Sequence, residues 1–577
     1  MITLSINNEQ VQANAGDTVL DAAKKANIDI PHLCAMEGLD NYGGCGLCVV
    51  EVEGDRNPVR SCVREATQGM KVLTNTPKIR KIRRTVVELL LTNHPQDCFT
   101  CVRNQDCQLL DAAAELGIRT EQLNRVAKKK DLDKTSVSIT RDPNKCIVCS
   151  RCIRVCNDIQ TVGAIEFADR GFNLDVSTFN RKGMGKSECI NCGQCIHVCP
   201  VGAIYERSCI DDVWAAIDDP TKHVVVQEAP AVRVALGEEF GLPPGTLVAG
   251  KMHAALKILG FDTIFDTNFS ADLTIMEEGT ELVERVKTGG VLPMFTSCCP
   301  GWIKFLEEFY PELIPNLSTC KSPQQMFGTL SKTYFPKVVK LNPEQIVSVS
   351  IMPCTAKKYE AQRPEMNNSG FRDVDYVLTT RELAAMIREA GIDLASLPDM
   401  PAEDLMGKYS GAGTIFGATG GVMEAALRTA YKLITGKELE NLDIEPVRGM
   451  EGIKTAKVMV GDLEVRVAVA HGLGNARKLV EEVKAGKSPY HFIEIMACPG
   501  GCVGGGGQPL SFDITKRNTR SLGLYDEDKA LTIRRSHENP SVHKIYEDFL
   551  VKPLGEKSHH LLHTKYTGRD TELASNT

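Results

Sequence analysis

The spacing of cysteines constrains this chain more than any other feature of its sequence. Nineteen of its 22 cysteines fall into five sets. Because several soft thiolate ligands must converge on one inorganic core, such sets predict iron–sulfur clusters and domains folded around them. The sets are Cys34, Cys45, Cys48 and Cys62; Cys98, Cys101 and Cys107, preceded by His94; Cys146, Cys149, Cys152 and Cys156; Cys189, Cys192, Cys195 and Cys199; and Cys299, Cys354, Cys498 and Cys502.

Length and composition narrow the class of protein. A chain of 577 residues favours roughly three to five domains. Its net charge of -7 argues against nucleic acid as the main partner. The sequence has no apolar run of about 18 residues and no basic-then-apolar leader, so we expect neither a membrane span nor export. Tight C-x-x-C sets then favour a reduced, cytoplasmic metalloprotein over an oxidised secreted scaffold.

Residues 1–76 read as a β-grasp ferredoxin domain. Residues 2–13 alternate around Asn7-Asn8, which predicts a hairpin, and Asp17–Asn27 predicts a helix capped by Asp17. The glycine-rich loop Gly43–Cys48 lets backbone amides approach the sulfurs. The spacing of the four cysteines resembles the [2Fe-2S] domain of the large iron–sulfur subunit of respiratory NADH dehydrogenases. A zinc site is the alternative, although zinc ligands usually come as two close pairs.

Residues 77–137 are predicted to be a small helical domain, with helical patterning from Pro77 to about Val126. Its three cysteines are one ligand short of a cubane, and His94 stands where the fourth would come. A bystander histidine is the alternative. The order of these four residues also resembles the [4Fe-4S] site with one histidine and three cysteines in the same NADH dehydrogenase subunit, which implies that His94 is a ligand.

Residues 138–209 contain an internal repeat. Each copy has the motif C-x2-C-x2-C-x3-C followed by Val-Gly-Ala-Ile, at 162–165 and 201–204. In two-cluster ferredoxins the fourth cysteine of each motif ligates the other cluster. We therefore predict one cubane on Cys146, Cys149, Cys152 and Cys199, and a second on Cys189, Cys192, Cys195 and Cys156.

In residues 210–557 the sequence pattern alternates between apolar segments and amphipathic helices, which predicts a large α/β domain. Segments 224–226, 291–296 and 347–352 are predicted as buried strands, and 381–390 and 422–434 as helices. Phe416 occupies the third glycine position of a G-x-G-x-x-G motif, and no G-K-[ST] motif is present. We therefore predict no nucleotide site. Residues 558–577 form a tail.

Three stretches of this domain carry the fifth cysteine set. They are Phe295-Thr-Ser-Cys-Cys-Pro-Gly-Trp302, Met352-Pro-Cys-Thr-Ala-Lys-Lys358 and Met496-Ala-Cys-Pro-Gly-Gly-Cys-Val-Gly-Gly-Gly-Gly-Gln-Pro509. They resemble the three signatures of [FeFe]-hydrogenases, and the resemblance extends over the accessory domains. It implies a multidomain α+β and α/β protein with a two-lobed catalytic domain. It also implies an H-cluster, in which Cys299, Cys354, Cys498 and Cys502 hold a [4Fe-4S] cubane and Cys502 bridges to a di-iron unit with CO, cyanide and azadithiolate.

The same resemblance implies roles for residues around that cluster. Lys357 would donate to a cyanide ligand, and Cys298 would donate protons. Glu278, Glu281, Ser318 and Arg285 would form the proton path to the surface. The pocket wall would include Ala229, Pro230, Gln324, Met352, Phe416 and Met496. Ala231 departs from the family, where some relatives carry a serine. From the residues alone, Glu278 and Glu281 are instead predicted to lie on a solvated helix face, and Cys209 and Cys320 to be small buried hydrophobes.

The implied function is reversible oxidation of H2, with three accessory [4Fe-4S] clusters and one [2Fe-2S] cluster as the electron wire. Ferredoxin and maturation proteins are the expected partners. The four glycines after Cys502 and the extra thiol of Cys209 favour a subunit of an electron-bifurcating complex. Its companions would be a flavin- and NAD(P)H-binding iron–sulfur subunit and a small thioredoxin-like [2Fe-2S] subunit. The alternatives are a stand-alone ferredoxin-dependent hydrogenase and, less favoured, a non-catalytic redox, assembly or H2-sensing relative.

Overall fold

The computed structural model describes residues 1–118, 129–461 and 463–569. They form two compact units. The first comprises 1–158, 163–187 and 195–205, and the second comprises 159–162, 188–194 and the chain from Glu206 onward. The end of the predicted helical stretch near Val126 and residues 570–577 of the tail lie outside the described residues.

The first unit begins with a five-stranded sheet. The predicted hairpin is confirmed, because Ile2–Ile6 pairs antiparallel with Glu9–Ala13. Asn7 and Asn8 have φ values of 52° and 69°, a left-handed pair of residues that suits a tight hairpin turn. The strands lie in the order Glu9–Ala13, Ile2–Ile6, Lys71–Leu73, Val49–Val52 and Val59–Arg60.

A short helix, Val19–Lys25, packs its apolar face on this sheet. The prediction that Asp17 caps it is wrong. The cap is Thr18, whose hydroxyl accepts from the Asp21 amide at 3.2 Å, while the Asp21 carboxylate accepts from the Thr18 amide at 3.0 Å. These two bonds form a capping box. Asp17 instead accepts from the Asn14 amide and pairs with Lys25.

Buried arginines join the cluster-bearing segments of the first unit. Arg151 donates to the Ala35 carbonyl at 2.8 Å, and Arg154 donates to that of Cys34 at 2.5 Å. Arg103 donates to the Cys199 carbonyl at 2.9 Å.

The rest of the first unit contains helices and short strands. The helices are Pro77–Thr92, Gln108–Glu115, Arg151–Arg154 and, at the border of the unit, Gln194–Val198. The remaining strands are Ile139–Arg141, Glu166–Ala168, Asp175–Ser177 and Ile204–Glu206.

The second unit contains two four-stranded sheets. One is parallel throughout, in the order Thr263–Asp266, His223–Glu228, Ile346–Met352 and Tyr376–Thr379. The other has the order Met294–Phe295, Phe492–Met496, Leu463–His471 and Ile453–Val460, with only the last pair antiparallel. The predicted strand at 291–296 is shorter than expected, because Pro293 has no N–H for a ladder and pairing begins after it.

Helices surround both sheets of the second unit. The two predicted helices are confirmed as Thr380–Glu389 and Gly421–Thr435. In the described part of the chain, no helix has the length and apolar character that crossing a bilayer requires. The other helices are Ile210–Ile217, Ala249–Leu259, Thr267–Thr288, Pro300–Phe309, Pro323–Val339, Ala356–Ala361, Asp404–Gly407, Gly411–Thr414, Leu473–Lys484, Ile514–Ala530, Pro540–Ile545 and Glu556–Leu562.

The capping box gives a test of the corrected helix start. We expect Thr18→Ala to destabilise the helix Val19–Lys25 by about 1 kcal/mol, because the Asp21 amide loses its acceptor. Hydrogen exchange of that helix should then be about fivefold faster. Asp17→Ala is the matched control and should change exchange less. The reverse order of effects would restore Asp17 as the cap.

Candidate functional site: a cysteine-lined cavity

A cavity of about 70 Å³ lies inside the second unit. Its walls are the loops that follow four parallel strands, two from each sheet: His223–Glu228, Met294–Phe295, Ile346–Met352 and Phe492–Met496. Carboxyl ends of parallel strands are where α/β sheets usually place their ligand sites, since the loops there converge. Loops of different chemical character, two from each sheet, therefore line one buried space.

Four cysteines predicted as ligands line this cavity. Cys299 begins the helix Pro300–Phe309, Cys354 follows the strand Ile346–Met352, and Cys498 and Cys502 follow the strand Phe492–Met496. Their convergence from three distant segments on one enclosed space is the geometry that a cubane requires, and thiolates are the ligands it prefers. This donor set fits a [4Fe-4S] cluster.

Close backbone packing explains two glycines in the last of these loops. Gly501 has a φ of 88°, and a Cβ there would lie 2.7 Å from the Thr419 amide nitrogen. A Cβ on Gly505 would lie 2.2 Å from the Pro353 carbonyl oxygen, immediately before Cys354. The loop that carries Cys502 can therefore approach the loop that carries Cys354 only when position 505 lacks a side chain, and it can pass the Thr419 segment only when position 501 lacks one.

The remaining wall is apolar. Every residue predicted for it lines the cavity, and so does Ala231. The sequence analysis missed Thr267, Ala271 and Pro323, which also line it. They lacked a signal because small or apolar residues at such positions resemble ordinary core. The predicted residues are Ala229, Pro230, Gln324, Met352, Phe416 and Met496.

Lys357 is the cationic group of the cavity. Its ammonium donates to the Cys298 carbonyl at 3.1 Å and to the Glu360 carboxylate at 2.9 Å. Burial lowers the pKa of Lys357, but the Glu360 carboxylate outweighs this and the net shift of the pKa is upward. Glu360 also accepts from Gln324 at 3.0 Å. Lys357 is therefore a charged donor fixed at the cavity wall.

Cys298 and Glu278 form a buried pair of acids beside the cavity. Cys298 lines it, and burial, reinforced by the charge of Glu278, raises the pKa of the Cys298 thiol. Glu278 is fully buried. Burial, with the neighbouring Glu281 charge, raises the pKa of Glu278 to about 8, although interactions with Ser318 and the Ser297 amide lower it. Both groups can therefore hold a proton at neutral pH.

Glu281 continues from this pair towards the surface. Its carboxylate accepts from the Ser318 hydroxyl at 3.0 Å and from the Thr319 amide at 3.1 Å. Arg285 donates to it at 2.6 Å. The side chains of Glu281 and Arg285 are 11% and 15% exposed. The structure thus brings together all the residues predicted for the proton path.

The first unit also brings together predicted ligands. The sulfurs of Cys48 and Cys62 lie 3.4 Å apart, and those of Cys34 and Cys45 interact in the same group. A separate cavity of about 20 Å³ is lined by Cys146, Cys149, Cys152 and Cys199. His94 is buried directly after the helix Pro77–Thr92.

Two polar residues at the site escaped the sequence analysis. Glu360 lies three residues after Lys357, and a search for i,i+3 charge pairs would have found it. His563 contacts Thr319 at 2.8 Å across 244 residues of sequence, a separation at which no local pattern gives a signal.

The structure also places two cysteines that belong to no set. Cys320 is buried beside Glu281 and His563, and the Cys209 sulfur lies 3.5 Å from the Lys358 ammonium.

Five family models match the chain. Two are described as "Iron only hydrogenase large subunit, C-terminal domain" (222–506) and "Iron hydrogenase small subunit" (514–569). The others are "2Fe-2S iron-sulfur cluster binding domain" (1–77), "NADH-ubiquinone oxidoreductase-G iron-sulfur binding region" (83–122) and "NADH-quinone oxidoreductase subunit 3, ferredoxin-like domain" (136–205).

Whole-chain relatives agree with these models. The chain is 49% identical to the NADP-reducing hydrogenase subunit HndD of Solidesulfovibrio fructosivorans, over 99% of both chains. It is 43% identical to iron hydrogenase 1 of Clostridium pasteurianum, over 98% of this chain and 100% of that one. A solved [FeFe]-hydrogenase from Chlamydomonas reinhardtii matches with a TM-score of 0.57 and 47% identity, covering 63% of this chain and 99% of the other.

The raised pKa of Glu278 gives a pH prediction. The pKa is about 8 in the folded protein and 4.5 in a free side chain, so folding favours the protonated form. The group therefore costs folding free energy progressively as the pH rises from 4.5 towards 8. We expect the infrared carbonyl band of a protonated carboxyl group to persist at pH 7 and to fall to half its intensity near pH 8.

The difference between wild type and Glu278→Gln isolates this band from those of other buried acids. Glu284→Gln, on the same helix, is the control and should leave the band unchanged. A band already lost near pH 5 would show that Glu278 is ionised at neutral pH and would contradict the assigned role of burial.

Proposed function

The chain belongs to the iron-only hydrogenase family and is an iron hydrogenase, and from this premise we propose that its cysteine-lined cavity holds an H-cluster. The observation that carries the proposal is the convergence of Cys299, Cys354, Cys498 and Cys502 on one largely apolar space. When bound, that cluster supplies the redox chemistry that interconverts H2 with protons and electrons. The protein would supply the cysteine ligands, a wall that excludes water and a proton donor.

The side chains around the cavity have distinct proposed tasks. The Lys357 ammonium, held by Glu360, would donate a charge-assisted hydrogen bond to a cyanide ligand. Met352, Phe416 and Met496 would exclude water from the di-iron unit. Ala231 lines the same wall, and its lack of a hydroxyl would tune the cluster without removing a ligand.

The proposed proton path begins at the Cys298 thiol. Cys298 precedes a ligand in sequence and lines the cavity, so its proton can be exchanged with the reacting centre. Glu278 lies behind it, and the Ser318 hydroxyl links onward to Glu281 near the surface. The raised pKa of Glu278 keeps that group protonated at neutral pH, as a donor to Cys298 must be.

We propose one [2Fe-2S] cluster and three accessory [4Fe-4S] clusters as the electron wire. Cys146, Cys149, Cys152 and Cys199 surround one small cavity, which supports the crossed pairing of the two ferredoxin motifs. The ligand sets proposed for the other clusters are Cys34, Cys45, Cys48 and Cys62; His94, Cys98, Cys101 and Cys107; and Cys156, Cys189, Cys192 and Cys195.

We further propose that the chain is the catalytic subunit of an electron-bifurcating complex in the cytoplasm. The support is its 49% identity to a subunit of an NADP-reducing hydrogenase. Its partners would be ferredoxin, a flavin- and NAD(P)H-binding iron–sulfur subunit and a small thioredoxin-like [2Fe-2S] subunit, with maturation proteins for the di-iron site. The second candidate is a stand-alone ferredoxin-dependent enzyme, favoured by the 43% identity to iron hydrogenase 1.

Cys298→Ala tests the proton path. We expect the variant to keep the infrared bands of iron-bound CO and cyanide, because Cys298 binds no iron, while H2 turnover falls by at least about 100-fold, as for loss of a positioned proton donor. Cys209→Ser is the control thiol away from the cavity and should retain turnover. If the bands vanish with the activity, Cys298 is structural.

The partner proposal is tested by purification from the native source. We expect the chain to co-purify with a flavoprotein, and the complex to couple H2 oxidation to joint reduction of ferredoxin and NAD(P)+. The isolated chain should evolve H2 from reduced ferredoxin or dyes but not from NADH. A single 63.1 kDa species with full ferredoxin-linked activity would select the stand-alone enzyme instead.

A further inference from the structure

The proposed proton path ends at a residue that cannot carry a proton onward. Arg285 is the outermost group of the path and donates to Glu281 at 2.6 Å. A guanidinium stays protonated throughout the physiological range, so it can orient a carboxylate and stabilise its charge but cannot accept a proton from it. Oxidation of one H2 releases two protons. A proton that reaches Glu281 must therefore leave it to solvent or to a neighbouring group other than Arg285.

His563 is such a group. The Thr319 hydroxyl lies between it and Glu281, 2.8 Å from the His563 Nδ1 and 3.3 Å from the Glu281 Oε2. On its other side, the His563 Nε2 lies 3.1 Å from a Glu277 carboxylate oxygen. A carboxylate on Nε2 holds the proton there and leaves Nδ1 as the base that faces the hydroxyl. His563 is 2% exposed.

Backbone pairing holds these side chains in register. Cys320 and His563 form an antiparallel bridge. The Lys321 amide donates to the Leu562 carbonyl and the Thr564 amide to the Thr319 carbonyl, both at 2.8 Å. The C-terminal segment 556–569 is thereby fixed beside the stretch that carries Ser318 and Thr319.

Glu277 is prepared to balance a charge on His563. It is fully buried and accepts from the Tyr546 hydroxyl at 2.6 Å and the Leu554 amide at 2.8 Å. These two donors hold the Glu277 carboxylate in place beside the imidazole. The titratable groups that face His563 are Glu277 and Glu281 on the long helix, Cys320, Tyr546, Tyr566, and His559, whose ring stacks on it at 4.7 Å.

We propose that His563 is a second proton acceptor for Glu281, reached through the Thr319 hydroxyl, and that the C-terminal segment is therefore part of the proton path. In the transfer, the O–H bond of protonated Glu281 breaks and its proton goes to Thr319 Oγ1. The hydroxyl proton of Thr319 goes to His563 Nδ1. Two protons each move by one hydrogen bond, the net transfer is one proton with no electrons, and the imidazolium is paired with the Glu277 carboxylate. The inference rests on the proposed proton path.

The test uses the full, matured enzyme and H2 oxidation with an artificial dye. Because an imidazole accepts a proton only in its neutral form, the wild-type rate should rise with pH along one limb of its profile. His563→Gln keeps a donor for Glu277 but cannot titrate. We expect its rate to be about tenfold lower than that of wild type and this limb of the pH profile to be lost. This loss of rate is smaller than the ~100-fold loss expected for a group at the reacting centre.

Two variants of Thr319 distinguish a proton relay through its hydroxyl from a packing role of its side chain. Thr319→Val should reproduce the His563→Gln profile, and Thr319→Ser should restore both the rate and the limb. His560 is an exposed histidine on the helix Glu556–Leu562, which ends just before His563, and His560→Gln should behave as wild type. All variants should keep the infrared bands of the cluster. If His563→Gln does not load a cluster, the Thr319 pair decides the question alone.

Two results would overturn the inference. One is a cluster-loaded His563→Gln enzyme with the wild-type rate and pH limb. The other is a Thr319→Ser enzyme as impaired as Thr319→Val, which would make the contact a packing contact. Glu281→Gln distinguishes these from failure of the path itself. If that variant keeps full turnover, the path does not pass through Glu281 at all, whatever His563 does.

Discussion

The approach of three loops to one buried point is the constraint on which the rest of the structure depends. Each loop leaves the carboxyl end of a parallel strand, and together they bring four cysteines to one cavity. Gly505 permits two of these loops to meet, because a Cβ there would lie 2.2 Å from the Pro353 carbonyl oxygen, and Gly501 lets the same loop pass the Thr419 amide. The space that the loops line is largely apolar.

Burial of charge is the second organising feature, and it follows from the first. A dry cavity raises the cost of every charge near it, so each charge needs a partner. Lys357 has Glu360, and Glu281 has Arg285. In the described part of the chain Glu278 has no paired cation, and burial raises its pKa to about 8, so that this carboxyl can hold a proton at neutral pH. Under the proposed function, the same low-dielectric environment would protect the cluster and provide its proton donor.

Cysteine spacing predicted the ligand sets of the first unit because most cysteines of each set are close in sequence. The cavity cysteines come from distant segments, and they were predicted from the resemblance of the signatures around Cys299, Cys354 and Cys498. Local rules failed where a neighbour competed, as when Thr18 displaced Asp17 as the helix cap. Local sequence patterns did not indicate His563, because its contact with Thr319 spans 244 residues and depends on a backbone bridge that no periodic pattern encodes.

The infrared spectrum of the protein matured with its di-iron unit tests the central claim most directly. If the four cysteines hold an H-cluster, the spectrum contains bands of iron-bound CO and cyanide, and protein made without maturation enzymes lacks both these bands and H2 turnover while keeping its cubanes. H2 turnover by protein that carries cubanes but no such bands would contradict the account.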